Sequence, residues 1–222
     1  MFEILAQGNN LERILWGLWI TTKIAFLSII FSFVLGIIFG ILMTSKSLVV
    51  RLFFRFYLEA IRIVPILVWL FLVFYFLPKI SPIYLDSTAS AIVVFVLWGS
   101  IEMADLVRGS IESLPKHQVE SALSLGMSQS AINRYIILPQ IIAKILPSAI
   151  NLATRIIKTT SLVPLIGVVE MLKVGQQIIE ASIFTQPNAP FFIYGAIFVA
   201  YFIVCYPLSL LSAHLEKKFS YN

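Results

Sequence analysis

Several ionisable side chains lie within stretches that are otherwise apolar enough to cross a bilayer, where a charge is costly unless it is paired or used. Glu59 and Arg62 are spaced i, i+3, as are Asp105 and Arg108, so each pair can close on its own helix face. At a shared depth the four can also pair between helices, as an inner gate or a structural clasp. Counting about 1.5 Å per helical residue from the span ends puts Lys23 and Glu102 near mid-bilayer. Thr22, Ser100 and Leu67 fall at a similar level. A zwitterionic solute must shed water from both an ammonium and a carboxylate group in crossing, and leaving either unpaired costs several kcal/mol. Lys23 and Glu102 are the expected poles of a site for such a solute, with hydrogen bonds from Thr22 and Ser100 and an apolar wall at Leu67. Asp105, about a turn further in, belongs to both groups. A permanent Lys23–Glu102 salt bridge explains the same residues, and so does a cationic solute matched by Glu102 alone.

Covalent chemistry has little support. His117 and His214 are far apart, there is no H-E-x-x-H, and Cys205 has no histidine near it in sequence. The chain contains no G-x4-G-K-[ST] phosphate loop, so nucleotide hydrolysis by that route belongs to another chain. No catalytic residue, metal site or cofactor is expected.

These residues must be positioned by membrane helices. Of 222 residues, 59% are hydrophobic and 12% charged, about half the charged fraction of an ordinary soluble domain. A span needs roughly 20 apolar residues. Five segments qualify: Ile14 to Met43, Tyr57 to Leu77, Ala89 to Val107, Ile141 to Val169 and Phe191 to Ala213. The first is too long to be cleaved as a signal peptide, and Met1 to Asn10 has no basic residue. The fourth is interrupted by Pro147 and Pro164 and holds Arg155, Lys158 and the run Thr159 to Ser161. Such a broken polar segment suits a helix packed in protein or lining a water-filled path.

The net charge of +5 is placed as membrane topology requires, so nucleic-acid binding is not expected. Lys46, Arg51 and Arg55, then Arg108, Lys116 and Arg134, then Lys217 and Lys218 share one side, against Arg13, Lys79 and Lys173 on the other. The positive-inside rule makes the first side cytoplasmic, with the N-terminus outside and the C-terminus in the cytoplasm.

The longest stretch too polar for a span is Pro115 to Pro139, PKHQVESALSLGMSQSAINRYIILP. A short helix from Gln118 to Leu125 is broken by Gly126, and a second amphipathic turn, Met127 to Tyr135, leads to Pro139 in the first turn of the next helix. Glu120-Ser121-Ala122, then Gly126, then Ile136-x-Leu138-Pro139 resembles the EAA loop of ABC-importer membrane subunits, with serine at the first alanine. Tyr57-x-Glu59-x-x-Arg62-x-x-Pro65, Asp105-x-x-Arg108-Gly109-x-Ile111 and Lys158-x-Thr160-Ser161-Leu162 extend the resemblance over nearly the whole chain. It is to the polar amino acid branch, of the histidine, arginine and glutamine permease type. Glu102 stands where that family commonly has tyrosine.

The resemblance implies an all-α integral membrane protein of about five transmembrane helices, built like an ABC type I importer permease. Residues 1–222 would form one permease domain, with a coupling loop at about 115–139. It further implies a cytoplasmic ATP-binding subunit engaged by Glu120, Ser121, Ala122 and Gly126, and a second permease subunit, identical or related. An extracytoplasmic binding protein would deliver the amino acid, and the spans would sit among the lipids of a bacterial cytoplasmic membrane. The alternative is an ion-coupled secondary transporter of a small polar solute, which the intramembrane charges also support but which more often shows internal repeats; none is found.

Overall fold

A computed structural model describes residues 4–5 and 7–220. Helix α1, Asn10–Met43, is 34 residues long. At 1.5 Å per residue it measures about 50 Å, longer than a hydrocarbon core of about 30 Å. Its buried stripe is small and recurs every fourth residue through Ser28, Ser32, Gly36 and Gly40. Small residues at that period let two membrane helices approach closely. The helix received is α4, Ser87–Glu112, whose first turn is capped by Asp86 Oδ1 accepting from the Ala89 amide at 2.6 Å.

The contact leaves no room for side chains. A Cβ on Gly40 would stand 2.5 Å from Val107 Cβ, and one on Gly36 would meet the Met103 side chain and, at 2.9 Å, the Ser100 carbonyl. Because Gly36 meets Ser100 and Met103 while Gly40 meets Ala104 and Val107, the two helices run parallel with a fixed offset.

Between them the chain must return across the membrane. The connecting stretch is made of two pieces, α2, Leu48–Ile63, and α3, Ile66–Ile80, bent by 102°. The span read from the sequence at Tyr57 to Leu77 thus contains a sharp bend. Pro65 lacks an amide hydrogen and pushes the preceding residue out of the helical region; Val64 accordingly sits at φ −84°, ψ 126°. A π turn from Leu72 to Phe76 lies within α3.

After α4 come α5, Lys116–Ser124, and α6, Gln129–Ile132, which runs through a π turn into α7, Leu138–Thr159, and a 3-10 tail, Thr160–Ile166. Pro139 comes just after that π turn, within a helix that continues from Gln129. Pro147 does not interrupt α7, contrary to the sequence reading: helix continues on both sides of it, and its carbonyl accepts from Ser212 Oγ at 2.9 Å. The break comes at Gly167, whose φ of +90° ends the 3-10 tail.

Helix α8, Met171–Ser182, was not expected from the sequence, because it is too short and polar to register as a span. It is seated against the first half of α1, where a Cβ on Gly17 would lie 2.7 Å from Met171 Cα. Glu170, fully buried, caps α8 by accepting from the Lys173 amide at 3.0 Å and receives the Thr21 hydroxyl at 3.0 Å. Helix α9, Ala189–Ser220, closes the fold against α7 and α8. Among the described residues four helices are long and apolar enough to cross a membrane, or five with the bent pair counted as one span.

Candidate functional site

The break at Pro65 sets the end of α2 against the middle of α4, and there the intramembrane charges meet. Arg62 reaches across with Nε 3.0 Å from Glu102 Oε1 and Nη2 2.8 Å from Asp105 Oδ2. From α7, Arg155 Nη1 approaches Glu102 Oε2 at 3.3 Å, its guanidinium 5.2 Å from the centre of the Trp98 ring. Arg108 closes on Asp105 and, at 2.6 Å, on Glu112. The Glu102 side chain is only 13% exposed, whereas those of Arg62 and Arg155 are 44% and 55% exposed. A sheltered carboxylate is thus gripped by two guanidinium groups whose outer faces are open.

The sequence candidates divide on this geometry. Glu102, Asp105, Arg62 and Arg108 come together. The Asp105–Arg108 pair forms as spaced, but Arg62 pairs between helices and leaves Glu59 exposed, with no ion-pair partner among the described residues. Lys23 and Glu102 are not brought together, which corrects the pairing drawn from depth. In the parallel register of α1 and α4, Lys23 is level with the start of α4, about 14 residues or about 20 Å from Glu102 along the axis. Lys23 and Thr22 are exposed on α1, and the Thr22 hydroxyl is spent on the Leu18 carbonyl at 2.8 Å.

Ser100 is 1% exposed, with its backbone carbonyl against Gly36 and its hydroxyl donating to the Leu97 carbonyl at 3.1 Å, the same carbonyl to which Tyr57 Oη of α2 donates at 2.6 Å. Leu67 packs with the cluster around Ile24, Phe95 and Val163. Arg155 was missed as the partner of Glu102. Its signal was a basic residue in an apolar segment, which demands an acid at equal depth.

The second site is the α5–α6 loop. Gly126 has φ +77°, and the Met127 amide returns to the Ala122 carbonyl at 3.1 Å, the helix-ending arrangement that wants glycine in the left-handed position. Ala122 on α5 is 3% exposed and Ile132 on α6 is fully buried. Gln118 Oε1 accepts from Gln140 Nε2 at 2.9 Å, tying α5 to the first turn of α7. Around this hinge Glu120 and Ser121 are exposed, with Leu123 at 50% and Leu125 at 83%.

The model of the binding-protein-dependent transport system inner membrane component matches residues 32–221. The chain belongs to that family. As a binding-protein-dependent transport component it is a multi-pass inner-membrane subunit that transports rather than catalyses. It is 34% identical over 205 residues to the probable glutamine ABC transporter permease protein of Bacillus subtilis (strain 168), covering 92% of this chain and 93% of that one. It is 32% identical to the L-cystine transport system permease protein TcyB of the same organism, covering 91% and 84%. The crystal structure of an amino acid ABC transporter with histidines superposes with a TM-score of 0.82 at 26% identity, over 97% of this chain and 98% of that one. A methionine ABC transporter in inward-facing form shares the fold, with a TM-score of 0.69 at 16% identity. All-α architecture of the ABC type I importer permease kind is thus the fold of this component.

Proposed function

We propose that this chain is the permease subunit of an ATP-driven importer of polar amino acids, and that the Arg62–Glu102–Arg155 cluster lies on the path of the amino acid. The carrying observation is the cluster itself: one sheltered carboxylate between two half-exposed arginines, within helices that must otherwise exclude charge. An amino acid's ammonium can compete for Glu102 while its carboxylate engages the open face of Arg155 in fork geometry. These are the two poles first sought in Lys23 and Glu102, with arginine from α7 replacing lysine from α1. Relatives that carry glutamine, cystine and glutamate support the substrate class.

The α5–α6 loop is the proposed seat of the ATP-binding subunit. Glu120, Ser121, Ala122 and Gly126 would transmit its closure to the spans through α7. A second permease subunit, identical or related, and an extracytoplasmic binding protein complete the importer. Reconstituted with the ATPase and the binding protein, the chain should support uptake that stops when either ATP or the binding protein is omitted. Uptake driven by an ion gradient without ATP would overturn this reading.

Orientation is argued from charge. Lys46, Arg51 and Arg55, the loop bases Lys116 and Arg134, and Lys217 and Lys218 favour a cytoplasmic face at the α5–α6 loop, with the N-terminus outside. Single cysteines at Ser128 and Ser47 should react with an impermeant thiol reagent only in inverted vesicles, and one at Tyr84 only in whole cells. The opposite labelling would put the loop out of reach of any ATPase and sink the coupling proposal.

A further inference from the structure

Helix α2 is amphipathic in an unusual way. At 100° per residue Arg51, Arg62, Arg55 and Glu59 fall in a stripe of roughly 80°. On one side of the stripe are Phe54, Leu58 and Ile61, buried in the fold. On the other is an apolar face, with Val49 at 77%, Phe56 at 76% and Ile63 at 75% exposed. The stripe opens into a cleft of about 450 Å³ between α2 and α4. Within the cleft Arg62, Asp105, Arg108 and Glu112 neutralise one another, while Arg51 and Arg55, four residues apart, have no carboxylate partner among the described residues. Glu59 is the remaining acid there, so the mouth of the cleft keeps a net positive charge.

We propose that this cleft binds the headgroup of an anionic phospholipid, its phosphate held by Arg51 and Arg55 and its acyl chains lying along Val49, Leu52, Phe56 and Ile63. The 102° bend places α2 steeply across the direction of α3, as a helix lying in the membrane surface requires. A helix in that position buries its apolar face among acyl chains and holds its basic residues at headgroup level. Two arginines four residues apart offer a charge-assisted, two-sided grip on a phosphate. The site serves the transporter as a lipid contact and does not depend on the substrate path, or on which face of the membrane α2 occupies, because the probe lipid is offered to both.

The assembled transporter, stripped of lipid in detergent, is titrated with phosphatidylglycerol and with phosphatidylcholine, and bound lipid is counted by native mass spectrometry. Wild type should prefer phosphatidylglycerol. In R51Q/R55Q that preference should weaken about 30-fold, at about fivefold per basic residue near an anionic headgroup. R51K/R55K, which keeps both charges, should retain most of it, and K217Q/K218Q, remote from the cleft, should change it less than about twofold. The proposal is overturned if wild type binds the two lipids alike, or if R51Q/R55Q binds phosphatidylglycerol as wild type does. It is equally overturned if R51Q/R55Q sheds a partner subunit while its lipid binding is unchanged, since the face is then a protein interface.

Discussion

Replacing Glu102 with glutamine is expected to lower ATP-dependent amino acid uptake between about tenfold and a hundredfold, the range set by losing one charge-assisted interaction of roughly 1.5–3 kcal/mol in a sheltered site. The substitution preserves size and leaves an amide that still accepts a hydrogen bond from Arg62. It removes the charge that an incoming ammonium group would meet, and sets an NH2 donor in place of the Oε2 that Arg155 approaches. Stability should fall less than transport does. Arg62 keeps Asp105 as a partner, and Arg155, 55% exposed, keeps water and the face of Trp98. Two measurements on the same preparation separate the substrate role from a purely structural clasp. If Glu102 meets substrate, uptake collapses while the melting temperature of the assembled complex and its basal ATPase stay near wild type. If it only ties α2, α4 and α7 together, melting temperature and assembly drop in step with uptake, and the proposed path loses its inner pole. Arg155→Met adds a directional check: a raised KM for uptake at unchanged melting temperature is the signature of a lost carboxylate contact.

What could be read from the chain, and what could not, divides along a physical line. Apolar length and the distribution of lysine and arginine report on a helix and its surroundings one segment at a time, so the existence of the spans and the α5–α6 loop were legible. Pro65 and Gly126 are local as well: one removes a donor, the other supplies positive φ, and each acts where it stands. The level of Lys23 relative to Glu102 is not local. Counting inward from span ends assumes that every helix begins at the membrane surface, but α1 is long enough to overshoot the core, and its register against α4 is set by Gly36 and Gly40 fitting over Met103 and Val107. A stripe of glycine and serine was present in the sequence, but its partner helix was not named there. The same limit hid Ser100, buried between that contact and Tyr57 of α2, and Arg155, whose acid lies 53 residues earlier in the chain.

Replacing Gly126 with valine is expected to cut co-purification of the ATP-binding subunit by at least about tenfold and to abolish substrate-stimulated hydrolysis, while the permease still inserts. At φ +77° a β-branched side chain is strained; the left-handed region costs an L-residue about 1–2 kcal/mol and a branched one more. The strain cannot be relieved without moving the turn, because the Met127 amide is bonded to the Ala122 carbonyl and the flanking Ala122 and Ile132 are both buried. Leu123 and Leu125 would then swing away from their partner surface. Apart from its two chain neighbours, no atom of the described residues lies within 4 Å of a Cβ built on Gly126, so a clash with the rest of the subunit is not the cause. Gly126→Asn tells conformation from contact, since asparagine tolerates positive φ. Docking restored by asparagine means that the glycine serves the turn; docking lost with both means that the ATPase approaches the bare backbone. A valine variant that purifies with a full complement of ATPase and normal stimulated hydrolysis would remove the loop from the coupling path altogether.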